Sequence, residues 1–162
     1  MSFLEQVVSE YYQHRGYYVR VNVHALKRSK GGYDGELDVL AFEPKQRVLV
    51  HVETSWDSDT WEEREEKFKR KFRYDDSQYR AILRLPMREV KRRAVIGGAL
   101  SVPTHVHWLG IEILTVPLLF REIGRYLDDK HPSRRVVPEN LLCLRSIQFF
   151  KYFGEGTQTD TG

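Results

Sequence analysis

Five polar side chains alternate along two strand-like segments in the first half of the chain. They are Glu36 and Asp38 on the first segment and His51, Glu53 and Ser55 on the second. Residues two apart on a strand point to the same side of a sheet. Carboxylates that lie close together repel one another, which raises their pKa values or recruits a cation. A hard divalent ion such as Mg²⁺ prefers oxygen ligands, so the pattern favours a metal site over an ordinary solvated strand face.

The elements that must position these side chains are two strands joined by a short turn. Only four residues separate the segments 36–42 and 47–55, a spacing that is typical of a β-hairpin. With the turn at 44–45, the register places Asp38 opposite His51. The second face of the hairpin is wholly apolar and must face the core: it carries Leu37, Val39, Ala41, Val48, Val50 and Val52.

The flanking segments predict a mixed sheet with helices packed on it, an α/β domain. Ser2 can cap a first helix, with Glu5 as the partner carboxylate of a capping box. A single domain is expected over 1–153, and a polar, Gly- and Thr-rich tail at 154–162 is expected to be disordered. The other predicted helices are 3–15, 60–74, 118–127 and 138–153, and the other predicted strands are 17–26, 93–102 and 105–116.

The order helix, three strands, helix, with the segments GELDVLAF and RVLVHVETS, resembles the PD-(D/E)XK nuclease superfamily. The resemblance covers roughly residues 4–74 and implies a restriction-endonuclease-like fold, with an α-β-β-β-α-β core followed by C-terminal helices. It implies that Asp38 and Glu53 bind Mg²⁺, for which Mn²⁺ can substitute, and that Glu5 on the first helix assists. Glu36, on the same strand face as Asp38, is a further candidate metal ligand.

The family's lysine, two residues after the glutamate, is replaced here by Ser55, and Leu37 stands in place of the family's proline. Since serine carries no positive charge, a cleaving member must draw a lysine from another element. We predict that Lys67 on the helix 60–74 fills this role; Lys71 and the loop lysines are the alternatives. If no lysine reaches the site, the domain has lost cleavage and is a nucleic-acid-binding or assembly module.

The activity that the resemblance implies is Mg²⁺-dependent hydrolysis of DNA phosphodiester bonds, by an endonuclease. The net charge of +3 and the pI near 9.0 permit a nucleic-acid partner without requiring one. A second copy of the chain is another possible partner. The side chains predicted to contact nucleic acid are Lys27, Arg28, Lys30, Arg92 and Arg93.

Composition excludes several other classes of protein. The single cysteine, Cys143, rules out an internal disulfide and a cysteine-rich zinc module, and it favours a cytoplasmic location. No apolar run approaches the length of a membrane span, and no secretory signal is expected at the N-terminus. His105 and His107 alternate on one predicted strand, but the sequence offers no third zinc ligand at a suitable spacing, so ordinary histidines are favoured.

Overall fold

The computed structural model describes residues 1–57, 59–97 and 107–154. These residues form an α/β fold with a six-stranded mixed sheet flanked by helices. The strands are β1 (Tyr18–His24), β2 (Glu36–Glu43), β3 (Val48–Ser55), β4 (Glu89–Ile96), β5 (His107–Trp108) and β6 (Ile111–Thr115). The helices are α1 (Phe3–His14), α2 (Trp61–Lys71), α3 (Asp76–Leu83), α4 (Val116–Tyr126) and α5 (Leu142–Phe149), and a π-helical turn follows at Phe150–Gly154.

The strands lie in the order β1-β2-β3-β4-β6-β5. The first three form an antiparallel meander, whereas β4 runs parallel to β3 and β6 runs parallel to β4. Parallel neighbours need a crossover connection, and the segment between β3 and β4 supplies one that contains α2 and α3. The predicted α/β class, with a mixed sheet between helices, is therefore confirmed.

The hairpin of β2 and β3 has a longer turn than the sequence predicted. Glu43 pairs with Val48, and Leu40 rather than Asp38 lies opposite His51. The Glu43 carboxylate accepts hydrogen bonds from the two backbone N–H groups that follow Pro44, which holds a four-residue turn. The register therefore moves by two residues. Because a shift of two preserves the side to which each side chain points, the predicted acidic face survives the error.

The two faces of the sheet have different covers. On one face α1, α4 and α5 pack against the apolar side of the hairpin, including Val39, Val50 and Val52. Leu37, predicted to share this face, packs in the opposite cluster with Val23. The backbone of Asn22 has a positive φ of 50°, which interrupts the alternation of β1 beside it. The other face, which carries Asp38 and Glu53, is covered by α2 and α3, and both of these carboxylates are buried.

Several element boundaries differ from the prediction. The capping box of α1 is formed as expected, with Ser2 and Glu5 exchanging hydrogen bonds. The predicted helix 60–74 ends at Lys71 and is followed by α3, which sequence patterning missed. The strand predicted at 93–102 starts earlier, as β4. The strand predicted at 105–116 is interrupted by a turn between β5 and β6, where Gly110 has a φ of 76°.

Some sequence-based predictions fall outside the described residues. His105 does, as does the predicted tail from residue 155 onward. His107 is exposed at the start of β5. Across the described ranges, no helix has the length and apolar character needed to cross a membrane.

Candidate active site

The two carboxylates singled out by the sequence meet at the open end of the β2–β3 hairpin. Asp38 and Glu53 are the residues just beyond the last regular pair of the ladder. The Asp38 backbone N–H donates to Glu53 Oε1 at 3.2 Å, and the Thr54 backbone N–H donates to Asp38 Oδ2 at 2.9 Å. Glu53 is only 2 % exposed and Asp38 9 %. Each carboxylate thus replaces a missing ladder contact, and the strand ends fix both side chains.

A lysine from α2 lies between the two carboxylates. Lys71, the last residue of that helix, places its Nζ 2.7 Å from Glu53 Oε2 and 3.1 Å from Asp38 Oδ1. The ammonium also donates to the Glu36 backbone oxygen at 3.2 Å. Burial of Phe68 and Phe72 among β4 and β6 side chains anchors this end of α2 on the sheet. One ammonium group therefore bridges both predicted metal ligands.

Lys67, which the sequence analysis assigned to this position, lies elsewhere. Its Nζ pairs with Asp57 at 2.9 Å and with Asp59 at 2.5 Å. Lys67 and Lys71 are four residues, or roughly one helical turn, apart, which is about 6 Å along the axis. The structure therefore places Lys71 rather than Lys67 beside the two carboxylates, because α2 reaches Asp38 with its C-terminal end.

The charges at this site depend strongly on one another. Burial opposes ionisation of Glu53, but a hydrogen bond from His51 and the Lys71 charge outweigh it and lower the pKa of Glu53. Asp38 behaves in the opposite way, since burial and the neighbouring Glu53 charge raise its pKa despite contacts from Thr54 and Lys71. Burial lowers the pKa of Lys71, yet the two carboxylates more than compensate and leave that pKa raised. The ammonium is therefore held in its charged form.

A buried hydrogen-bonded chain supports Glu53 from behind. His51 Nε2 lies 2.6 Å from Glu53 Oε1, and His51 Nδ1 lies 2.6 Å from the Tyr79 hydroxyl. His51 and Tyr79 are fully buried. If the Tyr79 hydroxyl donates to Nδ1, Nε2–H is free to donate to the carboxylate, which fixes one tautomer of the ring. The histidine thus orients one carboxylate oxygen while the other faces Lys71.

Tyr79 was not among the residues that the sequence singled out, because α3 itself was missed. Asp75 caps this helix, and its side chain and that of Gln78 form a capping box. An Asp followed three residues later by Gln is a recognisable helix start in the sequence. That signal would have placed a tyrosine on the first turns of a helix covering the acidic face.

Two further predicted site residues lie apart from the carboxylate pair. The Glu36 side chain is half exposed, with its carboxylate 3.8 Å from His24, so it contributes its backbone oxygen instead. The Glu5 carboxylate accepts from the Ser2 backbone N–H at 3.0 Å within the capping box of α1. Glu5 and Thr54 line one cavity next to the site, but no contact joins Glu5 to either metal-ligand candidate among the described residues.

Arg92 and Arg93, predicted to contact nucleic acid, are largely committed to contacts within the fold. Arg93 lies on the α1 and α4 side of the sheet, where its guanidinium binds Glu112, Glu122 and the Tyr12 hydroxyl. Its side chain is only 11 % exposed. Arg92 donates to a backbone oxygen at 2.8 Å beneath α3. Charge clusters in a sequence do not distinguish solvated cations from internally paired ones such as Arg93.

The other three residues predicted to contact nucleic acid are exposed. Lys27, Arg28 and Lys30 are exposed on an extension of the β1–β2 hairpin, a loop that also contains Gly31 and Gly32. Arg73, two residues after the end of α2, binds Asp34 of this loop at 2.7 Å. Since Lys71 bonds to the residue at the start of β2, the loop and the carboxylate pair are adjacent. The base of this loop therefore lies beside the candidate site, and Arg28 within the loop pairs with Asp34 at 3.6 Å.

The donor atoms around Lys71 fit a hard cation. Two carboxylate oxygens and one backbone oxygen converge on the ammonium, and Mg²⁺ is typically bound through one or two carboxylates together with water. The described residues contain no cluster of three or more His, Cys, Asp or Glu side chains arranged to hold a metal ion. A divalent ion at this point would rely on Asp38 and Glu53, with Lys71 moving aside.

A scan against models of protein families found no match for the chain, and a search of curated proteins found none either. The functional interpretation therefore rests on the residues that meet at the end of the β2–β3 hairpin.

Proposed function

We propose that this chain is a metal-dependent endonuclease with a restriction-endonuclease-like fold, and that it hydrolyses phosphodiester bonds in DNA. The observation that carries the proposal is the position of Lys71 between Asp38 and Glu53. The position two residues after Glu53 is a serine and not a lysine. Instead, Lys71 of α2 contacts the same two carboxylates. A buried acid pair with an adjacent lysine and flanking exposed cations is a set of groups suited to phosphoryl chemistry.

Each side chain has a distinct part in this proposal. Asp38 and Glu53 would hold the divalent ion, while His51 keeps Glu53 oriented. The bound ion supplies Lewis-acid polarisation of the phosphate and lowers the pKa of a water molecule. Lys71 is positioned to orient the attacking water and to offset the negative charge that develops on the phosphate. The exposed cations of the 27–30 loop bind flanking phosphates, which positions the substrate without reading its sequence.

A second candidate function is a non-cleaving nucleic-acid-binding or assembly module on the same fold. The observation that favours it is Ser55 at the position where the family resemblance implies a lysine. In that case the ion pairs of Lys71 only neutralise a buried acidic pair. An acidic site with no adjacent cation would favour this second function, and Lys71 therefore weighs toward the nuclease.

The test is a cleavage assay with purified protein, Mg²⁺ or Mn²⁺, and duplex, branched and single-stranded DNA. Wild-type protein should cleave at least one of these substrates, and EDTA should stop the reaction. Asp38→Ala, purified in parallel, should be inactive, which separates the chain's own activity from a contaminating nuclease. Absence of cleavage on every substrate, or equal cleavage by Asp38→Ala, would overturn the proposal.

A further inference from the structure

A cavity opens beside the candidate active site, between the start of α1 and the end of β3. Its volume is about 430 Å³, within the usual range of about 300–1,000 Å³ for small-molecule sites. The residues around it include Phe3, Glu5, Thr54, Trp56 and Asp57. Neither the carboxylate pair nor Lys71 lines it, so it is a separate feature that the proposed chemistry does not use.

Two large aromatic side chains in the cavity wall are left open to solvent. Trp56 is 66 % exposed and Phe3 is 62 % exposed. Trp56 rests on the backbone at Gly97, where an added Cβ atom would overlap the indole ring. Its ring therefore has one supported side, while most of its surface faces solvent. Large exposed aromatic rings in a concave site are common stacking platforms for nucleobases.

The cavity is joined to the candidate active site through one residue. Thr54 lines the cavity, and its backbone N–H donates to the Asp38 carboxylate at 2.9 Å. A group bound in the cavity would thus lie next to the phosphate on which Asp38 and its partners act. One nucleotide contains both a phosphate and an attached base, so the two places can accept the two parts of the same nucleotide.

The charged residues that line the cavity favour binding of a nucleobase over binding of a phosphate. Glu5 and Asp57 contribute carboxylates, and the lining includes neither Lys nor Arg. Asp57 is paired with Lys67, which lies outside the lining, and Glu5 is held in the α1 capping box. A phosphate would meet acceptors and negative charge, whereas a neutral base offers a planar surface for Trp56 and amino groups that can donate to the carboxylates.

We propose that this cavity binds one unpaired nucleobase of a DNA substrate, stacked on Trp56, next to the bond to be cleaved. A base can enter such a pocket only when it is unstacked from its duplex neighbours. The preferred substrate is therefore single-stranded DNA, or duplex DNA with an unpaired nucleotide. The proposal rests on the proposed function for the identity of its ligand, and it narrows the substrate class.

Binding measured without cleavage tests the proposal. Fluorescence anisotropy in EDTA compares two labelled probes, a fully paired duplex and the same duplex with one unpaired nucleotide. Wild-type protein should prefer the second probe. Trp56→Ala should weaken its binding about 5- to 150-fold, the loss expected from one base–aromatic stack, and should leave binding of the paired duplex unchanged. Trp56→Phe should retain most of the preference.

Tyr18→Ala provides the matched control, since Tyr18 is 68 % exposed and lies outside the cavity. It should bind both probes as the wild type does. Equal binding of the two probes by wild-type protein, or an undiminished preference in Trp56→Ala, would overturn the proposal. A wild-type protein that cleaves no DNA but prefers the unpaired probe through Trp56 would refute the nuclease function and leave this proposal standing.

Discussion

Replacing Lys71 by Met tests the assignment of the catalytic lysine. Methionine keeps much of the length and apolar character of the side chain but removes the ammonium that bridges Asp38 and Glu53. A unit charge about 4 Å from the charge developing on the phosphate contributes about 4 kcal/mol at an effective dielectric constant of about 20. Because 1.36 kcal/mol corresponds to about tenfold in rate, we expect Lys71→Met to cleave about 10³-fold more slowly.

The assay is single-turnover cleavage with Mg²⁺, on the substrate that wild-type protein cleaves best. Lys67→Met is the matched control, because the two side chains lie on one helix and are similarly exposed, at 40 % and 37 %. We expect this control to cleave within a few-fold of wild type, since Lys67 contacts neither Asp38 nor Glu53. Wild-type rates in Lys71→Met, or a larger loss in Lys67→Met, would refute the assignment.

Metal affinity gives an independent readout of the same substitution. In the wild type the ammonium competes for the oxygens that would hold the metal, so Lys71→Met should bind Mn²⁺ more tightly while cleaving more slowly. Electron paramagnetic resonance of free Mn²⁺ measures this affinity directly. Weaker Mn²⁺ binding in Lys71→Met would contradict the placement of the metal between Asp38 and Glu53.

Three further predictions concern other parts of the fold. Glu122→Gln should lower the free energy of unfolding by about 1 kcal/mol at pH 7. Burial raises the pKa of Glu122, but the Arg93 charge outweighs burial and leaves that pKa lowered, so the loss of stability measured in urea titrations should shrink as the pH falls below 4.5. A loss that grows at low pH would contradict the ion pair. Tyr79→Phe should lower the free energy of unfolding by about 1–3 kcal/mol, because it leaves the buried His51 Nδ1 without its hydrogen-bond partner. An unchanged stability in urea titrations would show that this contact does not stabilise the fold. Lys30→Ala should reduce the steepness of the log–log salt dependence of duplex DNA binding by about 0.9, and an unchanged slope would show that Lys30 contacts no phosphate.

The acidic face was predictable from the sequence because side chains alternate between the two faces of a strand with a period of two residues. The pairing of Asp38 with Glu53 does not follow from the assumed turn, and the register was wrong by two residues. A shift of one would have placed the carboxylates of the two strands on opposite faces, whereas a shift of two left them on the same face. The strand pattern therefore survived an incorrect turn.

The choice of lysine was not predictable from local patterning. Lys67 and Lys71 both belong to the charged side of α2, and which turn lies over Asp38 is set by where Phe68 and Phe72 pack on the sheet. That packing joins residues far apart in the chain. Arg93 illustrates the same limit, because its partners come from other elements.

The reciprocal bonds at the end of the hairpin bear on how such a site changes over evolution. The Asp38 carboxylate accepts a hydrogen bond from the Thr54 N–H, and the Glu53 carboxylate accepts one from the Asp38 N–H. Both acids therefore link β2 to β3 in addition to contacting Lys71. In a descendant that had lost the proposed cleavage activity, selection for a folded chain would still preserve the two acids. Lys71, whose side chain is partly exposed, would be the first of the three residues to be substituted. In any relative of this chain, the lysine on α2 would therefore be a sharper marker of the proposed activity than the acidic pair.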